Sequence, residues 1–365
     1  MTQSEALEIL KLANEAIKTY SYSEVELLLD RLFVETNDNS LLADANRILG
    51  IIETRKGNYT IAIEHSTAAK TLYEIASDKK NIALTIGNIA NIYWLQSEYH
   101  KAIDSYNCAL NLNGEIENIS GVALNYNGLG NVYRDMMNYK LANAQYVKAL
   151  ELYESINDQL GIANVIGNLG NVAMNLSEFT LALDYLNQST ILFEKLDYQA
   201  GIANNTSNIG NIYRNLSDYA CELEYYNKAL AIDQLLGHKV GIARQLGNIA
   251  NVYLCLTEYH QSLEYFEKAL DLYEQLGDKK GVAITLGNAG NAYNSLFDYH
   301  TTLEYYGKSL QIFESIGSKQ GMVYYLGSIG LVYADISKYS QALEYYSKSL
   351  EISEQLIKGR VSASK

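Results

Sequence analysis

The sequence repeats with a period of 40 residues, and this period restricts the chain to architectures built by stacking one small unit. One ladder of tyrosines lies at Tyr93, Tyr133, Tyr213, Tyr253, Tyr293 and Tyr333, with Ala173 in the remaining place. A second lies at Tyr99, Tyr139, Tyr219, Tyr259, Tyr299 and Tyr339, with Phe179 in the remaining place. Seven repeats from about residue 80 onward keep this register without an insertion, and two drifted repeats precede them at Tyr22 and Tyr59, which predicts nine in all.

Each repeat is predicted to form two helices, because apolar residues follow one another at spacings of three and four, as in Ile82, Ile86, Ile89 and Tyr93. No linker-like stretch divides the repeats, so we predict a single array over residues 1–357. Its repeats are expected near 3–36, 39–76, 80–116, 119–156, 159–196, 199–236, 239–276, 279–316 and 319–357, followed by a short tail at 358–365.

The helix ends must be set without proline, since the chain contains none. We expect Gly237, Gly277 and Gly317 to end second helices in the left-handed conformation. We expect a hydroxyl or an acid to cap the second helix at Ser97-Glu98, Ser177-Glu178, Ser217-Asp218 and Thr257-Glu258. A glycine inside the first helix, as at Gly130, Gly170, Gly210, Gly290 and Gly330, costs about 1 kcal/mol relative to alanine, so we expect the backbone of the paired helix to approach closely there.

The order of small residue, tyrosine, aromatic residue and alanine resembles the tetratricopeptide repeat family. The resemblance rests on Gly290, Tyr293, Tyr299 and Tyr306 with their equivalents, and on Gly87-Asn88-Ile89-Ala90-Asn91-Ile92-Tyr93. This G-N-x-x-N-x-Y form is similar to the 40-residue subclass of Pins-type polarity scaffolds and of bacterial signalling proteins. The period departs from the family's usual length of about 34, and the family's frequent terminal proline is missing. The resemblance implies an all-α, right-handed superhelical solenoid of about nine helix-turn-helix repeats, whose first helices line a concave groove that binds peptides or partner proteins.

The first helices also carry a face of asparagine that the stacking of repeats does not require. The candidate peptide-binding residues are Asn88, Asn91, Asn131, Asn164, Asn168, Asn171, Asn175, Asn204, Asn208, Asn211, Asn215, Asn248, Asn251, Asn288 and Asn291, bordered by Arg134, Arg214 and Arg244. Each asparagine offers a carbonyl acceptor and an amide donor, which match the backbone of an extended peptide of any sequence.

Two interpretations of this face remain open. The asparagines either bind a partner or bond one another and the neighbouring backbone to tie repeats together, and the inner position of Asn91 and its equivalents favours the structural role. The arginines either hold a carboxylate of the partner by forked hydrogen bonds or are merely exposed to solvent. Only Arg244 lies at a position of the family's carboxylate clamp, so that ligand is not predicted.

Composition excludes several classes of function. A net charge of −14 argues against binding nucleic acid, and no apolar run is long enough for a membrane span. The three cysteines, Cys108, Cys221 and Cys255, are too scattered for a disulfide framework, and His100, His260 and His300 are interpreted as surface residues instead of metal ligands. No catalytic or phosphate-binding motif is present, so we predict a cytoplasmic protein that is not an enzyme and has no cofactor.

The prediction for function is therefore a scaffold or adaptor that binds an extended segment of a partner protein. The alternative is the sensor arm of a signalling system, in which a small peptide, or a cyclase, kinase or protease domain, is regulated through the array. Recognition of RNA by helical repeats is set aside because of the acidic charge. The last helix, with Ala342, Leu343, Tyr346 and Leu350 on one face, is expected to cap the array or to self-associate.

Overall fold

The computed structural model describes residues 2–18 and 22–363, except for the side chains at 17, 18, 23 and 358–363, and in these residues it contains eighteen α-helices and no strand. The first unit of the chain holds α1 Gln3–Lys18, α2 Tyr22–Glu35, α3 Asn39–Lys56, α4 Tyr59–Ile75, α5 Lys79–Leu95, α6 Tyr99–Glu115, α7 Ile119–Asp135 and α8 Tyr139–Ser155. The second holds α9 Gln159–Asn175, α10 Phe179–Lys195, α11 Gln199–Asn215, α12 Tyr219–Leu235, α13 Lys239–Cys255, α14 Tyr259–Leu276, α15 Lys279–Ser295, α16 Tyr299–Ser315, α17 Lys319–Asp335 and α18 Tyr339–Ala363. The predicted class, an all-α stack of about nine helix pairs, is confirmed.

These two units are compact and cover residues 1–156 and 157–365. Within each unit the two helices of a pair pack together, and the second helix packs on the first helix of the next pair. First helices of neighbouring pairs also touch, as α9 and α11 do. The single array across residue 156 stays a prediction. None of the described helices has the length and apolar character needed to pass through a membrane.

Helix α18 continues to Ala363, so residues 358–363 are helical and do not form the tail that we expected; Ser364 and Lys365 lie outside the described residues. The predicted apolar face of this helix is present, with Leu343 66% exposed and Leu350 59% exposed. Ala342 on the same helix is buried.

The turns between helices follow a period of their own. A residue in the left-handed conformation occurs at every twentieth position from Gly57, with φ of 78°, to Ser337, with φ of 60°. At a representative turn the backbone N–H of Glu98 donates to the carbonyl of Tyr93 over 2.9 Å, which closes the end of the first helix. Each repeat is thus two halves of equal length.

The expectation for Gly237, Gly277 and Gly317 is confirmed, since all three have positive φ. The expectation that Ser97, Ser177, Ser217 and Thr257 cap second helices was wrong, because these residues take the left-handed conformation and end the first helices instead. The following residue begins the second helix, and there only Asp218 of the four predicted acids caps with its side chain, accepting from the backbone N–H of Cys221 over 3.1 Å.

The glycines inside first helices make room for a side chain and not chiefly for the paired backbone. A Cβ added to Gly210 would lie 2.8 Å from Cε1 of Tyr226, whose ring lies across the glycine. Tyrosine rings cover Gly130, Gly290 and Gly330 in the same way. At Gly170 the neighbours are the side chains of Leu186 and Tyr185 and the carbonyl of Ala182.

The second helices carry exposed ion pairs between residues four positions apart. Glu224 pairs with Lys228, Glu304 with Lys308 and Glu344 with Lys348, at 2.6–2.7 Å. Because such exposed pairs contribute little, this face is charged and solvated and adds little to stability. His100, His260 and His300 are exposed, as expected.

Candidate functional site

The inner asparagines bond a tyrosine of their own helix pair. The tyrosine hydroxyl donates to Oδ1 of the asparagine fifteen residues earlier: Tyr106 to Asn91 at 2.5 Å, Tyr146 to Asn131 at 2.8 Å, Tyr226 to Asn211 at 2.7 Å and Tyr306 to Asn291 at 2.6 Å. The structural alternative expected bonds between repeats, whereas these four lie within one repeat. Burial raises the pKa of all four tyrosines. The glycine or alanine directly before each asparagine leaves room for the tyrosine ring, and the asparagine oxygen accepts a hydrogen bond from its hydroxyl. These two neighbouring residues together allow one tyrosine to be buried.

Two repeats break this rule because the tyrosine is replaced. Leu186 stands in its place in the fifth repeat and Phe266 in the seventh. Without a hydroxyl opposite it, Oδ1 of Asn171 is buried, and no donor within the described residues bonds it. Such an acceptor costs about 1–3 kcal/mol, so Asn171 is an unusual feature of the fold.

Asn171 lines a cavity of about 400 Å³ in the second unit, which we call the Asn171 cavity. Its walls come from α9, α11 and α13, with Ser189 and Phe193 from α10 and Tyr198 from the turn that follows. Eight predicted residues line it: Asn164, Asn168, Asn171, Asn204, Asn208, Asn211, Arg244 and Asn248. The structure therefore gathers the centre of the predicted face into one concave site.

The three predicted arginines differ in what they already bind. Arg214 donates through Nε to Oε1 of the fully buried Glu222 at 2.6 Å, and its guanidinium lies over the ring of Tyr226. Arg134 pairs with the neighbouring Asp135. Each of these two arginines thus holds a carboxylate from its own chain.

Arg244 is the arginine that faces the Asn171 cavity. Its Nη2 donates to Oδ1 of Asn204 over 2.5 Å. Its Nε is buried, and no acceptor among the described residues bonds it. No described carboxylate forms an ion pair with it, so Arg244 offers a cavity-facing positive charge and a free donor.

The remaining predicted residues lie elsewhere. Asn88, Asn91 and Asn131 line a separate cavity in the first unit, while Asn251, Asn288 and Asn291 lie outside the residues that line the Asn171 cavity. Asn175 and Asn215 are exposed at helix ends, and the amide of Asn215 donates to the carbonyl of Asn211. Asn164 bonds its own helix through the carbonyl of Leu160.

A buried polar chain behind the cavity was not foreseen. Ser207, in the cavity wall, donates to Oε1 of Gln245 at 2.9 Å, and Nε2 of Gln245 donates to Oδ2 of Asp233 at 3.2 Å. The other oxygen of Asp233 lies 2.8 Å from Nδ1 of His238. The sequence held a signal for it, since polar residues recur at the buried position of Asn205 and Gln245 with the same period of 40.

Comparisons with known proteins point to one family. A model of the tetratricopeptide repeat matches residues 41–114, 121–195, 161–235, 241–315 and 281–355. A search of curated proteins finds no match. Repeats of this family build protein-interaction and regulatory scaffolds, which are generally not catalytic.

Solved structures share the fold at low sequence identity. A Rap protein complexed with competence and sporulation factor is 14% identical, with a TM-score of 0.61 over 98% of this chain and 100% of that chain. A Rap conjugation gene regulator in complex with the Phr* peptide is 14% identical, with a TM-score of 0.61 over 97% and 96%. The apo form of the quorum sensor NprR from B. thuringiensis is 15% identical, with a TM-score of 0.56 over 96% and 99%. These likenesses concern the fold, and together with the repeats matched along most of the sequence they lead to one conclusion: the chain belongs to the tetratricopeptide repeat family.

Proposed function

We propose that this protein is a non-catalytic scaffold that binds an extended segment of a partner protein in the Asn171 cavity. The observation that carries the proposal is the buried, unbonded Oδ1 of Asn171 in a wall built from asparagines of three first helices. A backbone N–H of a bound segment would supply the donor that Leu186 cannot. The fold tolerates an unsatisfied acceptor there because the bound state satisfies it.

The chemistry of the cavity suits a peptide backbone. An extended segment presents N–H and C=O groups along its length, and carboxamides on α9, α11 and α13 can pair with both kinds of group. Recognition of this type depends little on the side chains of the partner. We also propose that residues 1–357 form a single array and that the protein acts in the cytoplasm.

Arg244 adds a preference for a negative group. Its unbonded Nε and its partly bonded guanidinium can pair with an aspartate or glutamate side chain or with a C-terminal carboxylate. Since the chain itself carries a net charge of −14, it repels an acidic partner at long range, and Arg244 attracts a carboxylate only at close range.

The comparisons support a second candidate, a regulatory arm that senses a small peptide. Two structurally similar Rap proteins are complexed with a factor or a peptide, and another similar protein is a quorum sensor. In this candidate the same cavity takes a free peptide, and binding changes the contacts of the array with an output domain.

A selection from a library of short linear peptides tests the proposal. Enriched peptides should bind the wild type and lose binding to Asn168→Ala/Asn208→Ala, while the thermal melting temperature of that variant stays within a few degrees. The matched control is Asn227→Ala, because Asn227 is exposed on α12 and bonds only its own helix. Peptides that bind the double variant unchanged would contradict the proposal. Peptides that require a free C-terminus would favour the sensor candidate.

A further inference from the structure

A second cavity, of about 320 Å³, lies in the first unit between α5 and α7, and we call it the Asn125 cavity. Three predicted residues line it, Asn88, Asn91 and Asn131, but its distinctive residue is Asn125, which is not among the predicted residues. The side chain of Asn125 is only 4% exposed. A Cβ added to Gly87 on the opposite helix would lie 3.2 Å from its Oδ1, so this glycine makes room for the amide.

The amide of Asn125 has no hydrogen-bond partner within the part of the chain that the structure describes, and this sets it apart from its equivalents. Asn205, two repeats later, donates to the hydroxyls of Ser189 at 2.9 Å and Thr190 at 3.2 Å. Gln245 bonds Ser207 and Asp233. Thr85 and Thr285 satisfy their hydroxyls within their own helices through the carbonyls of Asn81 and Gly281. The polar side chain at this repeat position is thus hydrogen-bonded in Asn205, Gln245, Thr85 and Thr285. Only Asn125, which lines the cavity, has no such bond with a described residue.

The other polar groups around the cavity are already engaged or neutral. The hydroxyl of Tyr106 donates to Asn91, and the amide of Asn118 donates to Asn113 at 2.7 Å. Lys80 is the one lysine, arginine or acidic residue in the lining, and it is exposed. A charged ligand group beside Asn125 would be buried without a counter-charge, whereas a neutral polar group would not.

We propose that the Asn125 cavity binds a neutral carboxamide, the side chain of a glutamine or asparagine in a peptide segment. A carboxamide donates to Oδ1 of Asn125 and accepts from its Nδ2 at the same time, so one group satisfies both ends of the buried amide. Leu84 and Leu124, which are partly exposed beside it, provide apolar contact for the methylene groups of such a side chain. The inference rests on the proposed function only in that the ligand belongs to a peptide.

The test uses three capped tripeptides, acetyl-Ala-Gln-Ala-amide and its counterparts with glutamate and leucine at the centre. Ligand-observed NMR titration of the full chain measures their affinities. The wild type should bind the glutamine peptide roughly tenfold more tightly than either counterpart, since the site loses a reciprocal hydrogen-bonded pair without the carboxamide. The leucine peptide controls for backbone binding.

The decisive variant is Asn125→Thr, because threonine already occupies this position at Thr85 and Thr285 and bonds its own helix there. It should fold, melt no lower than the wild type and bind all three peptides equally. Equal binding of the three by the wild type, or a glutamine preference that survives in Asn125→Thr, would overturn the inference. A failure of the proposed function would appear in a different experiment, the library selection. There the enriched peptides would bind Asn168→Ala/Asn208→Ala as well as they bind the wild type.

Discussion

The hydroxyl of Tyr226 lies 2.7 Å from Oδ1 of Asn211, and the ring above this bond passes over Gly210. The same arrangement in the fifth repeat has Leu186 opposite Asn171 and no hydrogen bond. The residue on the second helix therefore decides whether this asparagine on the first helix accepts a hydrogen bond within the repeat or has a buried side-chain oxygen without a donor among the described residues.

The two asparagines should respond oppositely to removal. Asn211→Ala removes the amide acceptor of the buried Tyr226 hydroxyl and should lower the free energy of unfolding by about 1–3 kcal/mol. Asn171→Ala loses no bond, removes the buried unbonded acceptor and introduces a better helix former, so it should raise the free energy of unfolding by about 1–3 kcal/mol. Urea unfolding followed by circular dichroism measures both, and equal losses would refute the assignment of roles.

Two glycines ten residues apart should also respond with opposite signs. Gly237 has a φ of 61°, and Gly247 lies inside α13; an added Cβ meets nothing within 4 Å at either position. Gly237→Ala should therefore lower stability by about 1–2 kcal/mol through backbone strain alone. Gly247→Ala should raise it by about 0.5–1 kcal/mol by lowering the entropy of the unfolded chain. Thermal melting of the two single variants settles the comparison, and shifts of the same sign would contradict it.

The pair of Arg214 and Glu222 should be replaceable only as a pair. Removing the cation by Arg214→Met leaves a fully buried carboxylate and should cost about 3 kcal/mol or more. The double variant Arg214→Met/Glu222→Ala should unfold close to the wild type, since an apolar contact replaces the pair and alanine occupies this position in α6, α8 and α10. A double-mutant cycle by urea unfolding measures the coupling free energy between the two residues. Additive losses of stability would show that the pair is not coupled.

Glu222 should also make stability depend on pH. Burial raises the pKa of its carboxyl, against the opposing effect of Arg214, and burial likewise raises the pKa of Asp278 despite the N–H of Gly281. A carboxyl with a raised pKa binds more protons in the folded state than in the unfolded state. Its contribution is therefore fully present below the ordinary pKa of 4.5 and is lost as the pH rises through the raised value.

The variant Glu222→Gln isolates this effect because it cannot ionise. As the pH rises from 4.5 toward neutrality, the unfolding midpoint of Glu222→Gln should rise relative to the midpoint of the wild type. Midpoints in urea across that range provide the measurement. Parallel pH profiles would show that burial does not shift the titration of Glu222.

The fold followed from the sequence because the ladders fix which face of each helix is buried. The turns were only partly foreseen, since the left-handed position holds glycine in four places and residues such as Met137 and Phe297 in others, so no residue type marks it. Only the spacing of twenty identifies these positions.

The structure brings eight of the predicted residues together in the Asn171 cavity, but the sequence did not show which asparagines bond a tyrosine. Asn91 and Asn171 occupy equivalent positions, and their hydrogen bonding depends on the residue fifteen places later, Tyr106 or Leu186. Both of those residues read as core. Asn125 escaped notice because its importance comes from burial without a bonding partner, a property that depends on the packing of α5 against α7.

The equal halves of each repeat bear on how such a chain gains and loses length. Every junction from Gly57 to Ser337 has a residue in the left-handed conformation at the same interval of twenty, so any one of these junctions can be joined to the equivalent junction of another repeat without altering its local geometry. Unequal recombination between two repeats of the gene would then insert or delete whole helix pairs and keep every junction intact. The count of repeats can then change by whole helix pairs, whereas a replacement such as Leu186 changes the hydrogen bonding of one repeat and leaves its junctions as they are.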